Sequence, residues 1–256
     1  MRGFFQLGDK NDNTNEEPLR EELFSSEQMD RFGKALAARH KLRSKPAKEH
    51  LLKRLADNEA TLQEVRKLLT DSIKRKYQVT PAGEWLIDNF YLIEEHIRIA
   101  KTHFPKNYSE ELPQLADGNS SGLTRSYDIV LQIISHSDGR TDMESLGNFV
   151  KAYQTVTPLK LGELWSIPLM LRLALIENIR RVAARIAIDK VDRNLADYWA
   201  EKMIATTEKA PKDLIRVIAD MARSNPPIVS AFVSELIRQL RGKGPDLALV
   251  LNWIEQ

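Results

Sequence analysis

Apolar residues recur at helical spacing through most of the chain. Within residues 48–76, Leu51, Leu55, Leu62 and Leu69 follow one another at intervals of four and seven, so they share one face of a helix. No stretch alternates apolar and polar residues with an enrichment of β-branched side chains, which is the pattern of a half-buried strand. The pattern therefore predicts an all-α protein built as a multi-helix bundle.

Capping residues and prolines mark where the helices begin. Ser25 with Gln28 forms a capping box, and Thr80-Pro81 places a capping hydroxyl before a proline at the first helical position. Thr141 with Glu144 has the spacing of a second capping box. The predicted helices cover about residues 25–41, 48–76, 81–102, 124–136, 142–153, 168–188, 192–208, 212–223, 227–240 and 246–255. The apolar helix follows the break at Thr157-Pro158 and is either kinked or started at Pro168.

Three parts are predicted along the chain. Residues 1–17 are mostly polar, and we expect a disordered tail there. The longest predicted loop, 103–122, is rich in proline and glycine. We therefore expect two helical subdomains, an N-terminal one over 18–117 and a C-terminal one over 118–256, the latter containing the apolar helix 168–188.

The segment 148–181 embeds polar residues in a very apolar sequence. Buried charges are costly unless they are paired, so we expect Glu163, Arg172 or Glu177 to have partners, and Arg181 stands one helical turn after Glu177. A ligand or docking groove and a helix packed on several sides with internal ion pairs both explain the pattern, and we favour the second. The candidate docking residues here are Tyr153, Gln154, Glu163, Trp165, Arg172 and Glu177.

The predicted helix 81–102 carries a second group of candidates. Glu84, Asp88 and Glu95 are spaced to lie near one face, which could be an acid/base cluster. A solvated polar face opposite the apolar stripe explains the same spacing, and we favour it. As a binding surface, the sequence offers Trp85, Asp88, Asn89 and Glu95 together with Tyr153, Gln154 and Trp165.

The composition excludes several classes of protein. The 256 residues are 42% hydrophobic and 29% charged, with no cysteine and a net charge of +2. A disordered chain would be less apolar, and a disulfide scaffold needs cysteine. The basic run 39–54 lacks interleaved aromatic residues and follows an acidic stretch, so a self-compensating surface or an anionic membrane face explains it as well as phosphate binding does. Nucleic acid is not an expected partner.

No catalytic constellation is evident in the sequence. It contains no glycine-rich phosphate loop, no Gly-x-Ser-x-Gly elbow, no His-Glu-x-x-His and no Asp-x-Asp pair. His96 and His103 are seven residues apart, but a zinc site needs further ligands, and solvated or locally bonded histidines are the favoured interpretation. We therefore predict no catalytic residue, no metal site and no cofactor in these residues.

Targeting and membrane signals are also weak. The N-terminal apolar stretch is confined to Phe4, Phe5 and Leu7, too short for a secretory signal. The longest uncharged run of the apolar helix, 164–171, is 8 residues, whereas a spanning helix needs about 20. The residues alone thus favour a cytoplasmic location.

Several blocks of the sequence resemble the N-terminal region of bacterial cyclic β-1,2-glucan synthases. They are LREELFSSEQ from residue 19, LLKRLADNEATLQE at 51–64, TPAGEWLIDNFYLIEEHIR at 80–98, ELPQL at 111–115, FVKAYQTVTPLKLGELWSIPLMLRLALIENIRR at 149–181 and ARSNPPIVSAFVSELIRQLRGKGPDLALVLNWIEQ at 222–256. The block at 149–181 is long and unusual in composition, and the order of the blocks matches from end to end. Gly83 departs from the helix former expected there.

This resemblance implies a place in a much larger enzyme. Members of that family are inner-membrane proteins that polymerise glucose from UDP-glucose into β-1,2-glucan, cyclise it and deliver it for export. Their transferase, membrane and phosphorylase-like regions lie beyond the matched stretch. The resemblance therefore implies a non-catalytic helical module at the cytoplasmic face of the inner membrane. Its implied partners are the rest of the synthase and, if the module holds the growing polymer, β-1,2-glucan. A free-standing helical module that binds protein or glucan is the alternative.

Overall fold

The computed structural model describes residues 16–45, 48, 50–75, 77–105 and 108–254, and within these ranges the fold is all-α, which confirms the predicted class. Two isolated bridges, Leu42 with Leu115 and Gln114 with Thr124, do not extend into strands. The helices are α1 Ser26–Arg39, α2 Leu51–Lys74, α3 Pro81–Asp88, α4 Phe90–His103, α5 Tyr108–Glu111, α6 Arg125–His136, α7 Met143–Gln154, α8 Leu161–Lys209, α9 Leu214–Arg223, α10 Ser230–Leu240 and α11 Pro245–Ile254.

The chain divides into two compact units, Met1–Ala184 and Arg185–Gln256. The sequence-based boundary after residue 117 falls inside the first unit. Side chains from both sides of residue 117 share buried contacts there, such as Arg54 with Glu177, and this joins the two stretches. Of the predicted disordered tail, residues 1–15 lie outside the described part. Glu16 and Glu17 make the contacts described below.

In the first unit, α1 packs on α7, and α2 packs on α3 and α4. Gly33 of α1 allows the close approach to α7, because a Cβ there would lie 3.3 Å from the carbonyl oxygen of Phe149. The apolar stripe of α2, which includes Leu62 and Leu69, is buried as the spacing predicted. In the second unit, α9, α10 and α11 share one core with the end of α8, formed by residues that include Trp199, Met203, Met221, Phe232 and Leu240.

Two of the three predicted caps are confirmed. Ser25 and Gln28 form the reciprocal capping box before α1, and the Thr80 hydroxyl accepts the N–H of Gly83 before Pro81 opens α3. The predicted box of Thr141 and Glu144 is wrong. Asp142 caps α7 instead, because its carboxylate accepts the N–H of Ser145 at 2.7 Å. That carboxylate also accepts from the Ser145 hydroxyl, and these bonds lower the pKa of Asp142.

This one-residue difference can be tested by mutation. We expect Asp142→Ala to lower the midpoint temperature of thermal unfolding by about 2–4 °C, because it leaves a first-turn N–H of α7 without an acceptor. Thr141→Ala is the matched control, since the Thr141 hydroxyl has no hydrogen-bond partner among the residues that the structure describes. Calorimetry of both variants measures the effect. Equal shifts in the two variants would show that Asp142 does not act as the cap.

Two predicted helix boundaries are wrong. The single helix 81–102 is broken at Asn89, whose side-chain amide donates to the carbonyl of Trp85 at 2.8 Å, so α3 ends there and α4 starts anew. The helices predicted at 168–188 and 192–208 are one continuous helix, α8, which starts before Pro168. Glu163 fixes that earlier start because its carboxylate accepts the N–H of Lys160 at 2.8 Å. None of the helices in the described ranges meets the length and hydropathy that crossing a membrane requires.

Candidate functional site

The polar centre of the first unit is built on the first turn of α6. Four consecutive residues there have buried polar side chains, and each has its partner on another element. Successive side chains of a helix point about 100° apart, so the four side chains of one turn can each contact a different neighbouring residue. The four pairs are Arg125 with Glu163, Ser126 with Ser166, Tyr127 with Glu177, and Asp128 with His40.

Arg125 and Glu163 form a buried two-pronged ion pair between α6 and α8. The Arg125 Nε donates to one carboxylate oxygen at 2.7 Å and its Nη2 to the other at 2.5 Å. Their side chains are 3% and 0% exposed. Burial opposes the charge of Arg125, but the hydrogen bonds to Glu163 outweigh it and raise the pKa of the guanidinium. Because the Glu163 carboxylate also accepts the Lys160 N–H, it has no free face for a substrate.

Glu177 is the centre of a second buried cluster. Its carboxylate accepts hydrogen bonds from the Arg54 guanidinium, from the Tyr127 hydroxyl at 2.7 Å and from Arg181 Nη2 at 2.6 Å. The side chain of Glu177 is 0% exposed. The pair with Arg181 confirms the i,i+4 prediction, whereas Arg54, 123 residues away in sequence, was not foreseen.

The pKa values of this cluster follow from its hydrogen bonds. Burial alone would raise the pKa of Glu177, but the donors, Arg54 first among them, overcome that penalty and lower it to about 2. Burial and the neighbouring charge of Glu177 raise the pKa of Tyr127 well above its ordinary value, so the phenol keeps its proton. Glu177 is therefore held as a carboxylate and cannot serve as a general acid near neutral pH.

A third group joins α1, α6 and α7 through a histidine. His40 Nδ1 lies 2.7 Å from the Tyr153 hydroxyl, and Nε2 lies 3.0 Å from Asp128 Oδ2. The other oxygen of Asp128, Oδ1, accepts from the Ser120 hydroxyl. A neutral imidazole satisfies both contacts by donating from Nε2 and accepting the phenol proton at Nδ1. Burial raises the pKa of Tyr153 to about 12. His40 and Asp128 lie 88 residues apart, and no local sequence pattern connects them.

The remaining predicted residues lie nearer the surface. Trp165 is 73% exposed and Trp85 is 58% exposed, while Tyr153 is fully buried, so these three do not form one open surface. The half-buried Arg172 makes no ion pair with the described residues, in contrast to Glu163 and Glu177. Asp88 and Glu95 are exposed, and Asn89 and Gln154 are half-buried.

The acid/base and metal interpretations find little support in the described residues. Glu84 and Asp88 lie on α3, whereas Glu95 lies on α4 beyond the break, and all three are exposed, as a solvated face requires. His103 contacts the carbonyl of Ile99 in its own helix. Among the residues that the structure describes, no three histidine or carboxylate side chains come together as metal ligands would.

The second unit contains a pair of carboxyl groups, Asp197 and Glu235, that no sequence pattern predicts. The Gln239 side-chain amide donates to Asp197 at 2.7 Å and to Glu235 at 3.1 Å, which places both groups around one nitrogen. Burial and the bond to Glu235 raise the pKa of Asp197. Burial also opposes ionisation of Glu235, but the Arg238 guanidinium outweighs it and lowers the pKa of Glu235. Through Asp197 and Glu235, the Gln239 amide links α8 to α10.

The chain is similar in sequence to a known protein. No protein-family model matches the chain. Among curated proteins, the cyclic beta-(1,2)-glucan synthase NdvB of Rhizobium meliloti (strain 1021) is 27% identical over 200 residues, which are 78% of this chain and 7% of that protein. The chain thus spans only a small part of its relative. The comparison confirms the resemblance predicted from the sequence: the chain is similar to a segment of a cyclic β-1,2-glucan synthase.

Proposed function

We propose that this chain is a non-catalytic helical module of a cyclic β-1,2-glucan synthase, which holds other regions of a larger protein in position. The similarity to 7% of a glucan synthase supports its relation to such an enzyme. One observation supports a structural role: the carboxylates of Glu163 and Glu177 are 0% exposed and occupied by guanidinium groups of the same chain.

A glycosyl transfer site needs side chains that can reach a substrate. A general acid or base must come within hydrogen-bonding distance of the proton it transfers, and a nucleophile must face the sugar. Glu163 and Glu177 meet neither condition, because both side chains are 0% exposed and their carboxylates are bound by arginines of other helices. We infer that they fix α8 against α2 and α6, and that the resulting frame is what the module supplies. Its partners would be the transferase and membrane regions of the synthase, at the cytoplasmic face of the inner membrane.

Incubation of the purified chain with radiolabelled UDP-glucose tests the non-catalytic role. We expect no β-1,2-glucan and no labelled protein above the level of a control without protein. Membranes that contain the Rhizobium meliloti synthase serve as the positive control. Glucose transfer by the purified chain alone would contradict the proposal.

An exposed apolar strip on α8 supports a second candidate function, the binding of β-1,2-glucan. Leu161 is 60% exposed and Trp165, one turn later, is 73% exposed, while Pro168 continues the same exposed side. A large exposed aromatic residue within an apolar patch is typical of a binding surface. The flat indole face can also pack against the C–H face of a glucose ring.

Calorimetric titration with β-1,2-gluco-oligosaccharides tests this second function. We expect binding to the unchanged chain and at least a tenfold loss of affinity in Trp165→Ala, because a stacking contact worth about 1.4 kcal/mol disappears. Trp85→Ala is the matched control, since Trp85 is also exposed but lies on α3. Absence of binding, or equal affinity of both variants, would exclude the Trp165 site.

A further inference from the structure

The first described residues, Glu16–Phe24, form an extended segment that we call the N-terminal strap. Its main chain is bound at several points to the rest of the first unit. The N–H of Leu19 donates to the side chain of Asn178 at 2.9 Å, and that of Glu21 donates to the Ser135 carbonyl at 2.9 Å. Further contacts are the Phe24 N–H to the His136 carbonyl, the Glu22 carbonyl to the His136 ring, and the Glu17 carbonyl to Arg181.

The strap begins with a carboxylate among three guanidinium groups. One Glu16 oxygen lies 3.3 Å from Arg54 Nη2. The other accepts a hydrogen bond from Arg180 and lies 3.4 Å from Arg181 Nη2. Arg180 is only 1% exposed, and its Nε donates to Asn58 at 3.1 Å, so a second contact besides Glu16 fixes the direction of its guanidinium.

The charges explain why an anion is needed at this point. Glu177 neutralises one of the three guanidinium groups, and Glu16 neutralises a second. All three guanidinium groups lie within ion-pair distance of the Glu16 carboxylate, and a carboxylate matches the donor geometry of a guanidinium. The arginines therefore form a site for a carboxylate, and Glu16 fills it.

The two sides of this contact differ in burial. On the groove side, Arg180, Glu177 and Tyr127 are almost completely buried. On the strap side, most side chains are exposed, and Leu23 is 57% exposed. The ring of Phe24 stacks on His136 at 4.0 Å between centroids, and Pro18 and Leu19 are half-buried. A segment that buries little apolar surface opens locally more easily than the core does.

We propose that this groove is a binding site for an extended acidic peptide, and that the strap is its internal ligand. The site recognises a glutamate at one end through the three arginines and an aromatic residue eight positions later through His136. Between these ends the groove binds mainly the peptide main chain, and two side-chain contacts join it, Arg20 with Asp138 and Glu21 with His136. When the strap opens, the groove accepts a segment of the same chemistry from another protein.

A competition experiment with the full chain tests the proposal. The probe is a fluorescent peptide with the sequence of residues 16–24, followed by fluorescence anisotropy. We expect the peptide to bind Glu16→Gln chain about tenfold more tightly than the unchanged chain, because a weakened strap leaves the groove open for a larger fraction of the time. Glu17→Gln chain is the matched control, since Glu17 contributes only its carbonyl. It should bind the peptide like the unchanged chain.

Three outcomes would overturn the proposal. The first is a Glu16→Gln chain that retains its circular dichroism spectrum but does not bind the peptide. The second is equal affinity for peptides with and without the leading glutamate, which would show that the arginines do not select it. The third is a dimer in sedimentation experiments that competes with the peptide, because the ligand would then be the strap of a second copy and not a separate protein.

Discussion

Replacement of Glu177 by glutamine is expected to lower the free energy of unfolding of the first unit by about 3–5 kcal/mol. The change removes the charge on which Arg54 and Arg181 converge, and it leaves the Tyr127 hydroxyl with a weaker acceptor. Removal of one member of a buried ion pair leaves the other buried without a counter-charge, which is the costly case. Glutamine has nearly the same shape, so the loss measures the charge and not a cavity.

The effect should depend on pH in a defined direction. Glu177 ionises with a pKa of about 2 in the folded chain, compared with an ordinary value of 4.5. A carboxyl whose pKa is lower in the folded state stabilises the fold at pH values above 4.5 and loses that contribution as the pH falls toward 2. A shift of this size corresponds to about 3 kcal/mol. The difference between the unchanged chain and Glu177→Gln should therefore be largest at neutral pH and shrink below pH 4.5.

Hydrogen exchange of the α6 amides measures this loss in the first unit alone. Glu94→Gln is the matched control, because Glu94 also pairs with an arginine, Arg66 at 3.0 Å, but is 48% exposed. Exposed pairs contribute about 0–1 kcal/mol, so this variant should be close to the unchanged chain. If the two variants lost similar amounts, or if the loss at Glu177 did not vary with pH, the cluster would not have the stabilising role assigned to it.

The helical class could be predicted from the sequence because it depends on local patterns. The stripe of Leu55, Leu62 and Leu69 is read directly from spacing, and the caps at Ser25 and Thr80 are chemical signals confined to a few residues. The same is true of Glu177 with Arg181, which are one helical turn apart. Each of these features is decided by neighbours in the chain.

The predicted helix caps and helix starts were wrong where two nearby residues could each begin the helix. Asp142 competed with Thr141 for the same cap, and a charged carboxylate is a strong acceptor for first-turn N–H groups. Pro168 did not start a helix, because the carboxylate of Glu163 had already fixed the start seven residues earlier, at Leu161. In both places the residue that sets the helix start, Asp142 or Glu163, is present in the sequence. A second residue nearby, Thr141 or Pro168, predicts a different start, and the sequence pattern does not decide between the two.

The polar clusters could be predicted only in part. The apolar setting of Glu163 and Glu177 indicated that both need partners. Nothing in the sequence connects them to Arg125 and Arg54, which are 38 and 123 residues away. The candidate surface combined Trp165 with Tyr153, but Tyr153 is buried and its hydroxyl contacts His40, 113 residues distant. Pairing over such distances is a property of the packed helices.

The ion pair of Arg125 and Glu163 provides the second large effect. We expect Arg125→Met to lower the free energy of unfolding of the first unit by about 3–5 kcal/mol, because Glu163 would remain buried as an unpaired carboxylate. Methionine fills much of the space of the arginine stem, so packing loss is a smaller part of the cost. The hydrogen bond from Arg125 to the Pro158 carbonyl, 3.2 Å long, is lost as well.

The double variant Arg125→Met with Glu163→Gln separates charge from packing. The glutamine carbonyl can still accept the Lys160 N–H, which keeps the start of α8, and no buried charge remains without a partner. We therefore expect the double variant to lose about 1–3 kcal/mol less than the summed losses of the single variants Arg125→Met and Glu163→Gln, a coupling of the size found between residues in direct contact. Hydrogen exchange of the α6 amides again provides the measurement. Additive losses in the two single variants would mean that Arg125 and Glu163 stabilise the fold independently. The joint between α6 and α8 would then depend on its apolar packing and not on the ion pair.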